Sequence, residues 1–171
     1  MSQTPQDAIA VLNAGSSSLK FSLFEVHDSQ LQLDLHGQID GIGTSPRFVV
    51  NNADRTVRTQ RAWPGDSSMS HDDALDHLLD WVRTELTQHT LLGVGHRVVH
   101  GGTEFTTPVT LDKGVRTSLG ELTNLAPLHQ AASLAAVDAV SHAMPEVPAM
   151  ACFDTAFHAT IGAEAATYAL P

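Results

Sequence analysis

Four short segments carry side chains suited to gripping an anion and stabilising charge as a group moves. The first is Asn13-Ala14-Gly15-Ser16-Ser17-Ser18-Leu19-Lys20. Gly15 permits a positive φ or a close approach of backbone to ligand. Ser16, Ser17 and Ser18 offer hydroxyls and unencumbered N–H groups that suit phosphate oxygens. Lys20, one of only two lysines in the chain, adds a point charge. The stretch is not a Walker A loop, because Gly-x-x-x-x-Gly-Lys-Ser/Thr is absent and a strand, not a helix, is expected to follow. Asn, Gly and Ser are also ordinary turn residues, so a plain polar hairpin turn and a phosphate loop both fit.

The second segment centres on Arg97, which lies among Val94, Val98 and Val99 and close to Gly101-Gly102. Arginine among apolar residues pairs either with a structural carboxylate or with a bound carboxylate or phosphate, which its fork can hold at two points. The third is Pro127-Leu128-His129 at a helix start, where the imidazole either caps and packs or donates to charge that develops during a reaction. The fourth is Asp154, after an apolar run and before Thr155, placed to hold Mg2+, to orient a nucleophile or to cap the following turn. His158 is structural or sits at the rim of such a site. Other chemistries find little support. Gly93-Val94-Gly95-His96-Arg97-Val98 lacks the third glycine of a dinucleotide loop. His96 and His100 have a zinc-protease spacing but no Glu between them and a strand-like context. No Gly-x-Ser-x-Gly elbow exists, and Cys152 has no evident activating neighbour in the sequence.

The elements that must position these groups follow from periodicity. Ile9–Leu12 and Phe21–Val26 read as two strands around the serine turn. Leu31, Leu33 and Leu35 alternate with polar residues as a third strand, which Gly37, Gly41, Gly43 and Pro46 should end. Phe48-Val49-Val50 and Thr56–Ala62 form two more, joined at Asn51–Asp54. Ser70 is the expected N-cap of an amphipathic helix carrying Ala74, Leu75, Leu78, Leu79, Val82 and Leu86. Asp76, Asp80 and Glu85 fall off its apolar stripe as a solvated face. A strand over Leu91–His100, a short helix over Val115–Leu122, an alanine-rich helix over Gln130–Ala143 and a strand over Val147–Phe153 complete the pattern. Thr155–Leu170 is expected to be irregular with a helical turn. A meander followed by crossovers predicts an α/β domain with a mixed β-sheet and helices packed against it. Ligands gather at the carboxyl ends of strands in such sheets, where Asn13, Arg97 and Asp154 fall.

The 171 residues are enough for one domain with a real core, and 42% hydrophobic against 16% charged residues is a globular composition. A net charge of -10 argues against a general nucleic-acid binder while leaving room for a small anionic ligand at one basic spot. One cysteine excludes an internal disulfide framework and fits a reducing compartment, so a cytoplasmic location is expected. The first residues resemble no signal peptide, and no apolar run approaches the roughly 20 residues of a membrane span, so no membrane partner is expected.

Taken together, Asn13–Lys20, Gly95-His96-Arg97-Val98-Val99-His100-Gly101-Gly102, Leu125-Ala126-Pro127-Leu128-His129 and Phe153-Asp154-Thr155-Ala156-Phe157-His158 resemble the acetate kinases, in the same order and at similar intervals. The resemblance implies a ribonuclease-H-like core of the actin-like ATPase superfamily. It also implies reversible phosphoryl transfer between ATP and acetate, giving ADP and acetyl phosphate, with Mg2+. On that resemblance, Asn13, Ser16, Ser18 and Lys20 lie on the phosphate side, and Arg97 binds acetate or the phosphoryl group in flight. His129 stabilises the transition state, Asp154 and Asn13 stand at the metal, and Val99 and Leu128 line a small pocket for the methyl group. Propionate is a plausible second acid, since one methylene is worth only about 1–3 kcal/mol in such a pocket. The chain departs from the family in having Gln130-Ala131 where Asn-Pro usually follows the histidine. Family members are about twice as long. Residues 1–171 therefore correspond to an amino-terminal lobe without the adenosine-binding lobe, and little activity is expected from it alone; the alternative is a non-catalytic fragment or module that keeps the anion site for ligand or partner recognition. The whole enzymes of the family imply a homodimer, and an apolar face left bare is expected to favour self-association.

Overall fold

The computed structural model describes residues 5–64 and 68–166. Its frame is one eight-stranded mixed sheet. The strands are β1 (Gln6–Ala14), β2 (Ser18–His27), β3 (Gln30–Asp40), β4 (Arg47–Asn52), β5 (Val57–Ala62), β6 (His89–Val98), β7 (Val109–Thr110) and β8 (Ala149–Phe153). They lie in the order β5-β4-β3-β2-β1-β6-β8-β7. The first five form the antiparallel meander that their period-two patterns predict. β6 then returns parallel to β1, and β8 parallel to β6. Four helices follow or interrupt the strands: α1 (His71–Glu85), α2 (Lys113–Glu121), α3 (Pro127–Ala143) and a single turn, α4 (Ala163–Ala166). None of the described helices is long and apolar enough to cross a membrane.

The sheet buries one face. Ala8, Leu12, Leu19, Leu23, Leu35 and Ile39 project from alternate positions of β1–β3 into a core shared with Leu75, Leu78 and Leu79 of α1 and Ala136 and Val140 of α3. A second cluster places Val98, Ala151 and Phe153 of β6 and β8 under Leu119 of α2 and Leu134 of α3. Each fully buried leucine contributes about 1.5–3 kcal/mol, so these clusters dominate the fold's stability. The opposite face is the uncovered one: Val11, Gly95 and Met150 are register partners across β1, β6 and β8, and Val11 and Met150 are 40% and 43% exposed.

Local chemistry sets the ends of α1 and α2. Ser70 donates its backbone N–H to the Asp73 carboxylate at 2.8 Å, while its hydroxyl oxygen accepts from the Asp73 N–H at 3.1 Å. This is a capping box with Asp in the third position. The Ser70 N–H holds the Asp73 carboxyl below its usual range. Asp112 caps α2 by accepting from Val115 N–H at 2.8 Å.

Several expectations need correction. β3 does not stop at Gly37; it runs through to Asp40. A Cβ at Gly37 would lie 2.4 Å from the Phe21 ring, so the glycine is there to let an aromatic ring from β2 lie across the strand. The alanine-rich helix α3 starts at Pro127, not Gln130, because proline's missing N–H costs nothing at the first helical position. This draws His129 into the helix. β6 ends at Val98, two residues short of His100. The two-residue edge strand β7 has no periodic signal to read. The Leu86 side chain and residues 167–171 lie outside the described residues.

Candidate active site

The register of the central strands assembles the site. Lys20 pairs with Asn13 across β2 and β1, Leu12 pairs with His96 across β1 and β6, and Arg97 pairs with Cys152 across β6 and β8. Because side chains alternate along a strand, Lys20, Asn13, Arg97 and Cys152 form one row on the uncovered face, at the carboxyl ends of β1 and β6. The valines around Arg97 do not flank it as the sequence suggests. Val94 and Val98 point into the core, and the Arg97 side chain is 43% exposed.

Arg97 joins the ends of three strands. Its Nε donates to Asp154 Oδ1 at 2.9 Å, its Nη2 donates to Asp154 Oδ2, and its Nη1 donates to Asn13 Oδ1 at 2.9 Å. The fork-on-carboxylate geometry fixes the guanidinium plane. The three oxygens that it engages are hard donors of the kind that suit Mg2+, so the donor set fits that ion, but each already accepts from Arg97.

The serine loop is a tight turn pinned from outside. Gly15 N–H donates to the Ser18 carbonyl at 2.8 Å, and Ile42 N–H donates to the Ser17 carbonyl at 3.2 Å. The imidazole Nε2 of His71, at the start of α1, lies 2.8 Å from the Gly15 carbonyl oxygen. Ser16 and Lys20 are exposed and Ser18 is half-buried. Beside Lys20, on the same face, a groove of about 480 Å³ runs past Ser22, Gln38 and Arg47.

Gln130 organises the loop after β6. Fully buried, it accepts from His100 N–H at 3.1 Å and donates to the His100 carbonyl at 3.0 Å, which mimics a strand's pairing with a side chain. Gly101 N–H donates to Thr155 Oγ1 at 3.0 Å, and Thr155 N–H donates to the Val99 carbonyl at 3.3 Å. The segment 99–102 is thus stitched between α3 and the turn after β8, next to Asp154. The departure at Gln130 therefore supports the backbone around the site instead of reaching the site itself.

The expected residues divide accordingly. Asn13, Arg97 and Asp154 are bonded to one another, with Lys20 in the same row. Ser16 and Ser18 lie in the adjoining turn. His129 is exposed in the first turn of α3, and the Arg97 cluster is complete without it. Leu128 is 77% exposed and Val99 half-buried, so the pair offers an open apolar surface and not a closed pocket. His158 is exposed, its ring edge-on to Phe157. His71 and Gln130 are supports of this region whose contacts the sequence does not announce. Their contacts span 56 and 30 residues. Behind the row, His96 is 2% exposed, and burial pushes its imidazole down to about 4.

Comparison with known proteins matches this arrangement to one group. The model of the acetokinase family matches residues 8–171. The acetate kinase of Rhodopseudomonas palustris is 42% identical over 167 residues, covering 96% of this chain and 42% of that protein. The propionate kinase of Salmonella agona is 34% identical over 164 residues, covering 95% of this chain and 38% of that protein. Among solved structures, the acetate kinase of Porphyromonas gingivalis superposes with a TM-score of 0.79 at 27% identity, covering 96% of this chain and 41% of that one. The propionate kinase of Francisella tularensis gives 0.78 at 31% identity, with 96% and 41% covered. The chain thus spans about two-fifths of the length of the relatives that it matches. Its mixed sheet is the actin-like ATPase fold of those neighbours, and with the family match running from residue 8 to residue 171, the chain belongs to the acetokinase family.

Proposed function

We propose that the chain is the amino-terminal lobe of a phosphotransferase that exchanges a phosphoryl group reversibly between ATP and acetate. In the forward direction a carboxylate oxygen of acetate attacks the γ-phosphorus, the bond to the β-γ bridging oxygen breaks, and acetyl phosphate and ADP result. The chemistry asks for positioning and positive charge, with little covalent help from the protein. Arg97 supplies that charge. It turns its fork from Asp154 towards the carboxylate or the phosphoryl group, and so frees the oxygens of Asp154 and Asn13. Mg2+ at those oxygens would neutralise charge on the phosphates. Ser16, Ser18 and Lys20 receive the phosphate side, and His129 donates to the transferring group as the lobe closes on its substrates. Val99 and Leu128 supply the apolar contact for the acyl methyl.

The observation that carries this reading is the single row of Lys20, Asn13 and Arg97, closed by Asp154, where the start of β2 meets the carboxyl ends of β1, β6 and β8. The likeness to the propionate kinase of Salmonella agona and the open surface at Leu128 favour propionate as a second acid.

Acetyl phosphate formation, trapped as the hydroxamate, tests the proposal. The chain alone is expected to show little or no turnover. Mixing it with the carboxy-terminal three-fifths of a family member is expected to restore turnover, and Arg97→Lys is expected to lower the restored rate by about 10²–10³-fold, the range found for losing one preorganised transition-state donor. If a folded, complemented mixture neither binds acetyl phosphate nor turns over, the chain is not such a lobe. Rates for propionate and acetate in that mixture decide between the two acids.

A further inference from the structure

At the other end of the sheet, a second group of polar side chains sits half-buried, apart from the row around Arg97. Ala8 is register partner to Glu25 and Gln6 to His89, so Glu25 and His89 lie on the helix-bearing face at the amino ends of β1 and β6. Asp34 joins them from the irregular step of β3, where Phe24 pairs with Leu33 and Leu23 with Leu35. One ligand atom each from Glu25, Asp34 and His89 falls within 4.8 Å of the other two. His89 Nε2 is 3.4 Å from Glu25 Oε1 and 3.7 Å from Asp34 Oδ2. These are long for hydrogen bonds, which favour about 2.7–3.2 Å. They match the separation of about 3.4 Å between neighbouring ligands of a tetrahedral ion with bonds of about 2.0–2.1 Å.

A second observation points the same way. The His89 side chain is only 10% exposed and aims its Nε2 into the cluster, where its contacts are the two long ones above; its Nδ1, across the ring, is buried without a hydrogen-bond partner. Fixed positive charge around it is sparse. Arg58 lies 3.9 Å from Asp34 and 3.4 Å from Glu85, so one guanidinium serves both of these carboxylates, and among the described residues the ion-pair partners of Glu25 are imidazoles. His27 Nε2 sits 2.9 Å from the other Glu25 oxygen, the place of an outer-shell partner that orients a ligating carboxylate.

The geometry points to a structural site for one divalent transition-metal ion, Zn2+ before Mg2+, held by Glu25, Asp34 and His89 with water completing the shell. An imidazole with two carboxylates is a borderline donor set that favours zinc over the all-oxygen ions. The ion would staple β2, β3 and β6 beneath the carboxyl end of α1. Eight residues of strand, about 26 Å, separate His89 from Arg97, so the ion plays no part in the chemistry proposed there.

Tag-free residues 1–171 carrying Cys152→Ser, which removes the exposed thiol as a competing ligand, test this with the metal alone. Calorimetric titration is expected to show one Zn2+ per chain and no comparable Mg2+ binding. Co2+ in its place is expected to give the strong visible absorption of a tetrahedral centre, and Zn2+ is expected to raise the melting temperature. His89→Asn and Asp34→Asn, each verified as folded by circular dichroism, are expected to weaken Zn2+ binding by at least about tenfold, and His27→Asn by about tenfold as an outer-shell loss. Absence of Zn2+ binding to the parent chain overturns the site. So does undiminished one-to-one binding in both His89→Asn and Asp34→Asn. If one ligand variant fails to fold, the Co2+ spectrum of the parent and the other variant decide.

Discussion

Replacing His96 with leucine should flatten the acid dependence of stability. His96 sits on β6 between Leu12 and Ala151, 2% exposed, and its Nε2 has no hydrogen-bond partner. Burial lowers its pKa from 6.5 to about 4. The unfolded chain therefore binds a proton between those values while the folded chain does not, so stability rises with pH across that window. The contribution is complete above about pH 6.5 and lost as pH falls towards 4. The full difference of about 2.5 units corresponds to about 3.4 kcal/mol, and integration from about pH 7.5 to about pH 5 leaves a loss of about 2 kcal/mol. His77, also lowered by burial, adds to this trend, and the depressed carboxyls of Glu25 and Asp73 act at lower pH. All three are common to parent and variant. Urea unfolding at a series of pH values, with m held common, measures both proteins. His96→Leu is expected to lose about 2 kcal/mol less than the parent over that range. At neutral pH the variant should fall within about 1.5 kcal/mol of the parent, since the swap roughly conserves volume and removes an unsatisfied nitrogen. Equal pH slopes in the two proteins would refute the reasoning, because the imidazole would then be as free to take a proton folded as unfolded.

Three further substitutions probe the frame. Gln130→Met keeps the volume but removes every bond to His100, and should cost about 2–4 kcal/mol in urea unfolding while speeding hydrogen exchange at the His100 amide. Gly37→Ala forces a methyl against the Phe21 ring and the Val49 carbonyl, 2.9 Å away, and should lower stability by about 1–3 kcal/mol; a neutral effect would mean that Phe21 swings aside freely. Ser70→Ala removes half of the capping box and should cost about 1 kcal/mol by thermal melting.

Much of this architecture is legible in the chain because it rests on local periodicity. The alternation in β1–β3 and the capping serine before α1 each specify an element from neighbouring residues alone. What resists reading depends on contacts across the sheet. Gly37 looks like a strand breaker until the Phe21 ring is placed over it. Arg97 looks embedded in valines because they adjoin it in sequence, although strand alternation sends Val94 and Val98 to the other face. Its true neighbours, Asn13 and Asp154, lie 84 and 57 residues away. Gln130 reads as a loss of the family's usual pattern, yet folding makes it a substitute strand edge for His100. The group of Glu25, Asp34 and His89 has no sequence signature, since its members come from three strands and one of them occupies an irregular step.

The exposure of the Arg97–Asp154 pair bears directly on whether such a cluster can work. A fully buried ion pair would resist opening, because breaking one costs about 3–5 kcal/mol through the charge left uncompensated. Arg97 and Asp154 are 43% and 40% exposed, and pairs in that setting contribute only about 0–1 kcal/mol. The fork thus holds the guanidinium in one orientation at the strand ends, yet leaves it available to an incoming carboxylate or phosphate at little energetic cost. In the proposed turn Arg97 gives up the Asn13 bond together with the Asp154 pair, and the oxygens of both become free at once. The sheet fixes where the charge sits, and water at the open face keeps it exchangeable.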